Sequence, residues 1–151
     1  MRLFDTAGRI RARVRGRRPG ATPPAGDGVR ISYAPERDGL PDAGEVVWTW
    51  VPYEDDPSQG KDRPVVVIGS LAGGLAVVPL SSRDHADRRD HGEWVRVGTG
   101  PWDGAGRDSY ANVDRVVRVD AGAVRREGAT LDRGRFDAVV AGVRRHHPEI
   151  A

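Results

Sequence analysis

Between Glu45 and Val51 almost every position is apolar, with Val46, Trp48 and Trp50 on one parity and Val47, Thr49 and Val51 on the other. A strand with both faces at least partly covered produces this pattern. Val65 to Ile68 and Leu75 to Leu80 are runs rich in β-branched residues, separated by GSLAGG, and together they predict a hairpin. Trp94 to Val97 and Val113 to Val119 predict further strands. Several short strands with turn-rich connections indicate a small antiparallel barrel. The period changes near the end of the chain, where Phe136, Val139, Val140 and Val143 follow i, i+3, i+4 and i+7 spacing. This predicts a packing helix that Thr130 caps, with Asp132 in its first turn and Arg144, Arg145, His146 and His147 near the negative end of its dipole.

A second helical pattern lies at the start. Residues 2–18 place Leu3, Phe4, Ala7, Ile10 and Val14 near one helical face, with Arg9, Arg11, Arg13, Arg15, Arg17 and Arg18 largely elsewhere. Gly8 and Gly16 weaken such a helix by roughly 1 kcal/mol each relative to Ala. The tract RRPGATPPAGDG, through Gly28, reads as a linker. The expected organisation is a basic extension over residues 1–38 and one domain over residues 39–151.

Charge divides along the same line. Residues 1–37 hold nine Arg against Asp5, Asp27 and Glu36, a net of +6, which leaves −4 for the remainder and +2 for the whole chain of 151 residues. The basic character therefore belongs to the extension, which suits a weak contact with an anionic membrane surface or with nucleic acid. It lacks the apolar stretch of a secretory signal, and no run approaches the ~18 apolar residues of a membrane span. With no Cys, disulfides and thiolate metal sites are excluded, and a reducing cytoplasm is the expected compartment.

The chemistry concentrates between Gly44 and Ser82. An acidic, polar loop, EDDPSQGKD, ends in Arg63-Pro64 at a strand entrance, and the next apolar run closes in the hydroxyls of Ser81 and Ser82. Arginine beside a hydroxyl suggests phosphate chemistry, because guanidinium is permanently charged and holds two phosphate oxygens at once. It is not a general base. Further on, RDHADRRDHGEW contains Asp84, His85, Asp87, Asp90 and His91, which are ligand types with nothing to fix their geometry. The favoured reading is a charged loop whose arginines contact phosphates. Trp94, Trp102 and Tyr110 are candidates for stacking on splayed bases, with Trp94 more suited to packing at its strand position. The runs GSLAGG and GTGPWDGAG match neither a P-loop nor a dinucleotide fingerprint.

Four short motifs, in order, resemble the MazF/PemK family of toxin endoribonucleases. Gly44-Glu45-Val46-Val47-Trp48 looks like the family's opening strand. Gln59 and Gly60 ahead of Arg63-Pro64-Val65 look like its loop and second strand. Pro79-Leu80-Ser81-Ser82 looks like its Pro-x-(Thr/Ser)-(Thr/Ser) strand end, and Arg107 to Asp120 looks like its Arg-Asp-(Ser/Gly) block. The resemblance implies an SH3-like barrel, mainly β with a C-terminal helix. It also implies a homodimer held inactive by a cognate antitoxin, and metal-independent cleavage of single-stranded RNA, such as mRNA, through attack by the 2′-hydroxyl, with no cofactor. By the same resemblance Arg63 and Ser81 are catalytic, and Asp114 matches the Asp of the PemK branch and becomes the candidate base. The loop from Glu54 to Asp62 overlies the RNA groove, making Gln59, Gly60, Lys61, Ser82, Arg83 and His85 candidate RNA contacts. The chain departs from that branch at Asn112, where the branch has Arg, at Arg115, where Gln often stands, and in a first loop without His. A non-catalytic binding protein and a CcdB-like gyrase poison on the same barrel are the alternatives.

Overall fold

The computed structural model describes residues 28–35, 41–82 and 94–150, with side chains given throughout except at residues 126–128. Among the described residues eight strands and one α-helix follow in order: β1 (Arg30–Ile31), β2 (Glu45–Pro52), β3 (Gly60–Leu71), β4 (Gly74–Ser81), β5 (Trp94–Gly98), β6 (Ser109–Asn112), β7 (Val117–Val119), β8 (Arg126–Thr130) and α1 (Arg133–His146). Every pairing is antiparallel. The main path runs β5-β6-β4-β3-β2-β8, with β1 added to β3 and β7 to β4. The result is a half-barrel carrying a C-terminal helix.

The central strands are apolar on both faces because each face has its own cover. Val46, Val66, Ile68, Val78 and Leu80 point into the larger core, which Phe136, Val139, Val140 and Val143 of α1 complete. Val47, Val51, Val65, Val67 and Val77 form a second, smaller core with Val119, against which Leu75, Val117 and Val124 pack. A short 3-10 turn, Ala121–Ala123, closes it, and the carbonyl of Ala123 accepts a hydrogen bond of 3.3 Å from buried Thr49.

Three sequence expectations are corrected. The Val113 to Val119 run is not one strand. It breaks at a turn in which Arg115 N–H donates to the Asn112 carbonyl, because β4 uses two neighbours: β6 beside Leu80 and Ser81, and β7 beside Leu75 to Val77. The helix is capped by Asp132 and not by Thr130, which is still paired with Glu45 at the end of β8; the Asp132 carboxylate accepts from Arg135 N–H at 3.1 Å. Trp102 is no base-stacking platform, since it is buried in the larger core with Nε1 donating to Ser109 Oγ at 2.9 Å.

The stretch after Gly28 joins the sheet. Arg30 and Ile31 pair with Ser70 and Gly69, and the Arg30 carbonyl lies so close to Gly69 that a β-carbon there has no room. Tyr33 then packs its ring 4.9 Å from that of Phe136 and donates its hydroxyl to the Leu131 carbonyl at 2.8 Å. Packed chain thus lies on both sides of residue 38. The amphipathic segment at residues 2–18 and the Asp/His tract from Arg83, including His85, are outside the described residues. Among the described residues, no helix is long and apolar enough to cross a membrane.

Candidate active site

The second face of the sheet changes character along its length. On β3 the parity that buries Val67 and Val65 continues to Arg63, and on β4 the parity of Val77 and Pro79 continues to Ser81. On β2 the parity of Val47, Thr49 and Val51 leads to Tyr53, just past the strand. One end of the valine cluster is therefore rimmed by a phenol, a guanidinium and a hydroxyl. Side-chain alternation at period 2 makes this arrangement, and the register fixes it.

Arg63 lies inside β3, opposite Thr49, and not at a loop boundary. Val65 pairs with Pro79, and the same register carried two residues further aligns Arg63 with Ser81, where β4 turns to pair with β6. Arg63 Nη1 makes a long hydrogen bond of 3.5 Å to the Leu80 carbonyl, which sets the guanidinium beside Ser81. Ser81 is half-buried, whereas Ser82 is exposed beyond the strand. A strand-borne cation next to a strand-end hydroxyl is more precisely held than one on a loop.

Two groups missed by sequence reasoning complete the cluster. Burial pulls the Arg63 guanidinium below its ordinary pKa, Tyr53 pulls it back up, and the charge of Arg115 pulls it down. It stays cationic at any working pH. Arg115 donates to the Pro52 carbonyl at 2.6 Å from the turn after β6. The signal for Tyr53 was present in the β2 parity, but the strand's apolar run ends before it.

Ser81 also opens onto a second surface. It is paired with Tyr110, which is paired in turn with Arg96, while Asn112 is paired with Trp94. These five side chains share the outer face, because Leu80, Ala111 and Val95 take the alternate, inward positions. Arg96 is tied to Asp108 at 2.8 Å, and the buried Asn112 side-chain oxygen has no hydrogen-bond partner among the described residues. Tyr110 and Trp94 are each half-buried.

The remaining candidates separate. Asp114 stands one residue before Arg115, but its carboxylate lies 3.4 Å from His146 Nδ1 and its carbonyl 2.9 Å from His147 Nε2, at the end of α1. Gln59 accepts a backbone hydrogen bond from Tyr53 at 2.8 Å and is exposed, as is Lys61. Gly60 lies against the Trp50 ring with no space for a β-carbon. Arg83 and His85 are outside the described residues. The structure thus brings Arg63 and Ser81 together and engages Asp114 with α1.

The half-barrel with its terminal helix is shared with solved MazF-type structures. MazF from Deinococcus radiodurans is similar at 22% identity and a TM-score of 0.55, over 74% of this chain and 99% of that one. The MazE-MazF complex from the same organism is similar at 18% identity and a TM-score of 0.51, over 74% and 99%. An endoribonuclease from Mycobacterial species in complex with its cognate antitoxin is similar at 16% identity and a TM-score of 0.51, over 72% and 95%. At these identities the likeness is one of fold. The chain itself matches the model of the PemK-like, MazF-like toxin of type II toxin-antitoxin systems over residues 42–147, and it belongs to that family. No curated protein sequence matches it.

Proposed function

We propose that this protein is an endoribonuclease toxin that cuts single-stranded RNA, mRNA included, by attack of a 2′-hydroxyl on the adjacent phosphate. The observation that carries this reading is a strand-borne, half-buried arginine, Arg63, set beside Ser81 and joined by a second cation, Arg115. In the reaction the 2′-oxygen bonds to phosphorus, the bond from phosphorus to the 5′-oxygen breaks, and a 2′,3′-cyclic phosphate forms. Arg63 stabilises the charge that builds on the non-bridging oxygens, the part a metal ion plays in other nucleases. Ser81 orients the phosphate or the 2′-hydroxyl. Asp114 takes the 2′-hydroxyl proton, and solvent supplies the proton to the leaving oxygen. Gln59, Gly60, Lys61, Ser82, Arg83 and His85 are the proposed flanking RNA contacts.

The family to which the chain belongs supports a cognate antitoxin as partner, a homodimer as the assembly and the cytoplasm as the place of action. An antitoxin segment competing for the loop from Glu54 to Asp62 accounts for inhibition in this reading. Non-catalytic RNA binding on the same barrel is the second reading. It is favoured by one observation, the engagement of the Asp114 carboxylate with His146. Incubating the purified protein with single-stranded RNA in EDTA separates them: cleavage to cyclic-phosphate ends is expected, and intact RNA retained on the protein sinks the catalytic reading.

A further inference from the structure

Arg115 differs from the arginines on the outside of the barrel in what it touches. Its Nη2 donates to the Pro52 carbonyl at 2.6 Å, and among the described residues it faces no carboxylate. A guanidinium has five N–H donors, so one neutral acceptor leaves both charge and donors available. Arg63 is in the same position, with the Leu80 carbonyl its one hydrogen-bond acceptor among the described residues; it pairs with Thr49, three residues along β2 from the Pro52 that anchors Arg115, and the Arg115 charge reaches it. Two uncompensated cations in a half-buried setting repel one another, and an anion bound between them relieves that repulsion. A phosphate passing to a phosphorane gains negative charge, so the relief grows toward the transition state.

We infer that Arg115 is a catalytic residue whose guanidinium, anchored on the Pro52 carbonyl, binds the scissile phosphate together with Arg63. The anchor also ties the turn after β6 to the end of β2, so the second cation is held in place before RNA arrives. This assignment rests on the RNA-cleaving reading above.

The test uses three variants of the full chain and two measurements. Arg115→Gln keeps an N–H for the Pro52 carbonyl and removes the charge, whereas Arg115→Lys keeps the charge and loses the planar fork. Arg118→Gln, which removes a guanidinium bonded to Asp120 and to the Ala72 carbonyl, reports the loss of a surface cation. The first measurement is kcat on single-stranded RNA. The second is the salt dependence of affinity for the same sequence with 2′-O-methyl riboses, which cannot be cut. Arg115→Gln is expected to lower kcat by about 100-fold and to reduce the slope of log affinity against log salt by about 0.7. Arg115→Lys should recover the slope but not the rate, and Arg118→Gln should change neither. An unchanged slope in Arg115→Gln overturns the inference, even if kcat falls, and leaves Arg115 a tether for β2. A slope loss in Arg118→Gln equal to that in Arg115→Gln overturns it as well. If the wild-type protein cuts no RNA, the cleavage reading fails by itself, and the slopes still decide whether Arg115 holds a phosphate.

Discussion

Six arginines on the outer surface, Arg96, Arg107, Arg118, Arg125, Arg133 and Arg135, each face an aspartate: Asp108, Asp103, Asp120, Asp62, Asp137 and Asp132 in turn. Among the described residues, Arg63 and Arg115, at the open end of the second core, hydrogen-bond only backbone carbonyls. The difference is one of charge balance and not of residue type. Exposed ion pairs contribute about 0–1 kcal/mol each and leave little field behind them. An arginine held by a neutral carbonyl keeps its field, and when half-buried it acts through a poorly screened medium. Counting arginines therefore says little about where an anion would be held, whereas asking which half-buried ones lack a carboxylate among the described residues leaves Arg63 and Arg115, at one end of one face.

The comparison is broken most severely at Arg63. Arg63→Ala should lower RNA cleavage by about 100-fold or more while leaving the circular dichroism spectrum unchanged, because among the described residues the guanidinium makes one long hydrogen bond, to the Leu80 carbonyl. Arg63→Lys should also be poor, since an ammonium lacks the bidentate geometry. Full activity of purified Arg63→Ala removes the site from this end of the face. Next in size, Asp114→Asn should cost about 100-fold in rate, because it keeps the shape of the side chain and removes the base. If the rate is unaltered, Asp114 serves to hold the turn against His146.

Smaller effects sharpen the picture. Ser81→Ala should slow cleavage by about 10-fold, the equivalent of one hydrogen bond near 1.4 kcal/mol, with Ser82→Ala close to wild type. Equal effects from the two would show that the face assigned to Ser81 is wrong. Tyr33→Ala should lower the free energy of unfolding in urea by about 2 kcal/mol, through a lost aromatic contact and hydroxyl bond, without changing cleavage. Removal of residues 1–27 should leave both stability and cleavage as they are, whereas removal through residue 38 should destabilise the barrel as Tyr33→Ala does. Identical urea midpoints for the two truncations would mean that β1 and Tyr33 contribute nothing.

Much of this was legible before the structure. Val65 to Ile68 and Leu75 to Leu80 declared the central hairpin because β-branched residues were uninterrupted on both sides of a glycine-rich turn. Arg63 and Ser81 stood out because the first precedes an apolar run and the second closes one. Both β1 and β8 were invisible, since RI is too short and REGAT too polar to show a period; pairing with β3 and β2 makes them strands. The break between β6 and β7 was hidden in a valine-rich stretch, because it depends on β4 changing partners. Arg115 showed only as a departure from the family pattern, and its place beside Arg63 arises from a turn that no local signal announced.

The claim that charge balance marks the site can be tested on the arginines themselves. With 15N-labelled arginine, side-chain Nε resonances can be followed during titration with a short single-stranded RNA whose riboses carry 2′-O-methyl groups. Arg63 and Arg115 should shift first and saturate together, while Arg118 and Arg133, each held by an aspartate, stay in place. Uniform small shifts across all of them, or saturation at Arg118 and Arg133 with Arg63 and Arg115 unmoved, would contradict the account.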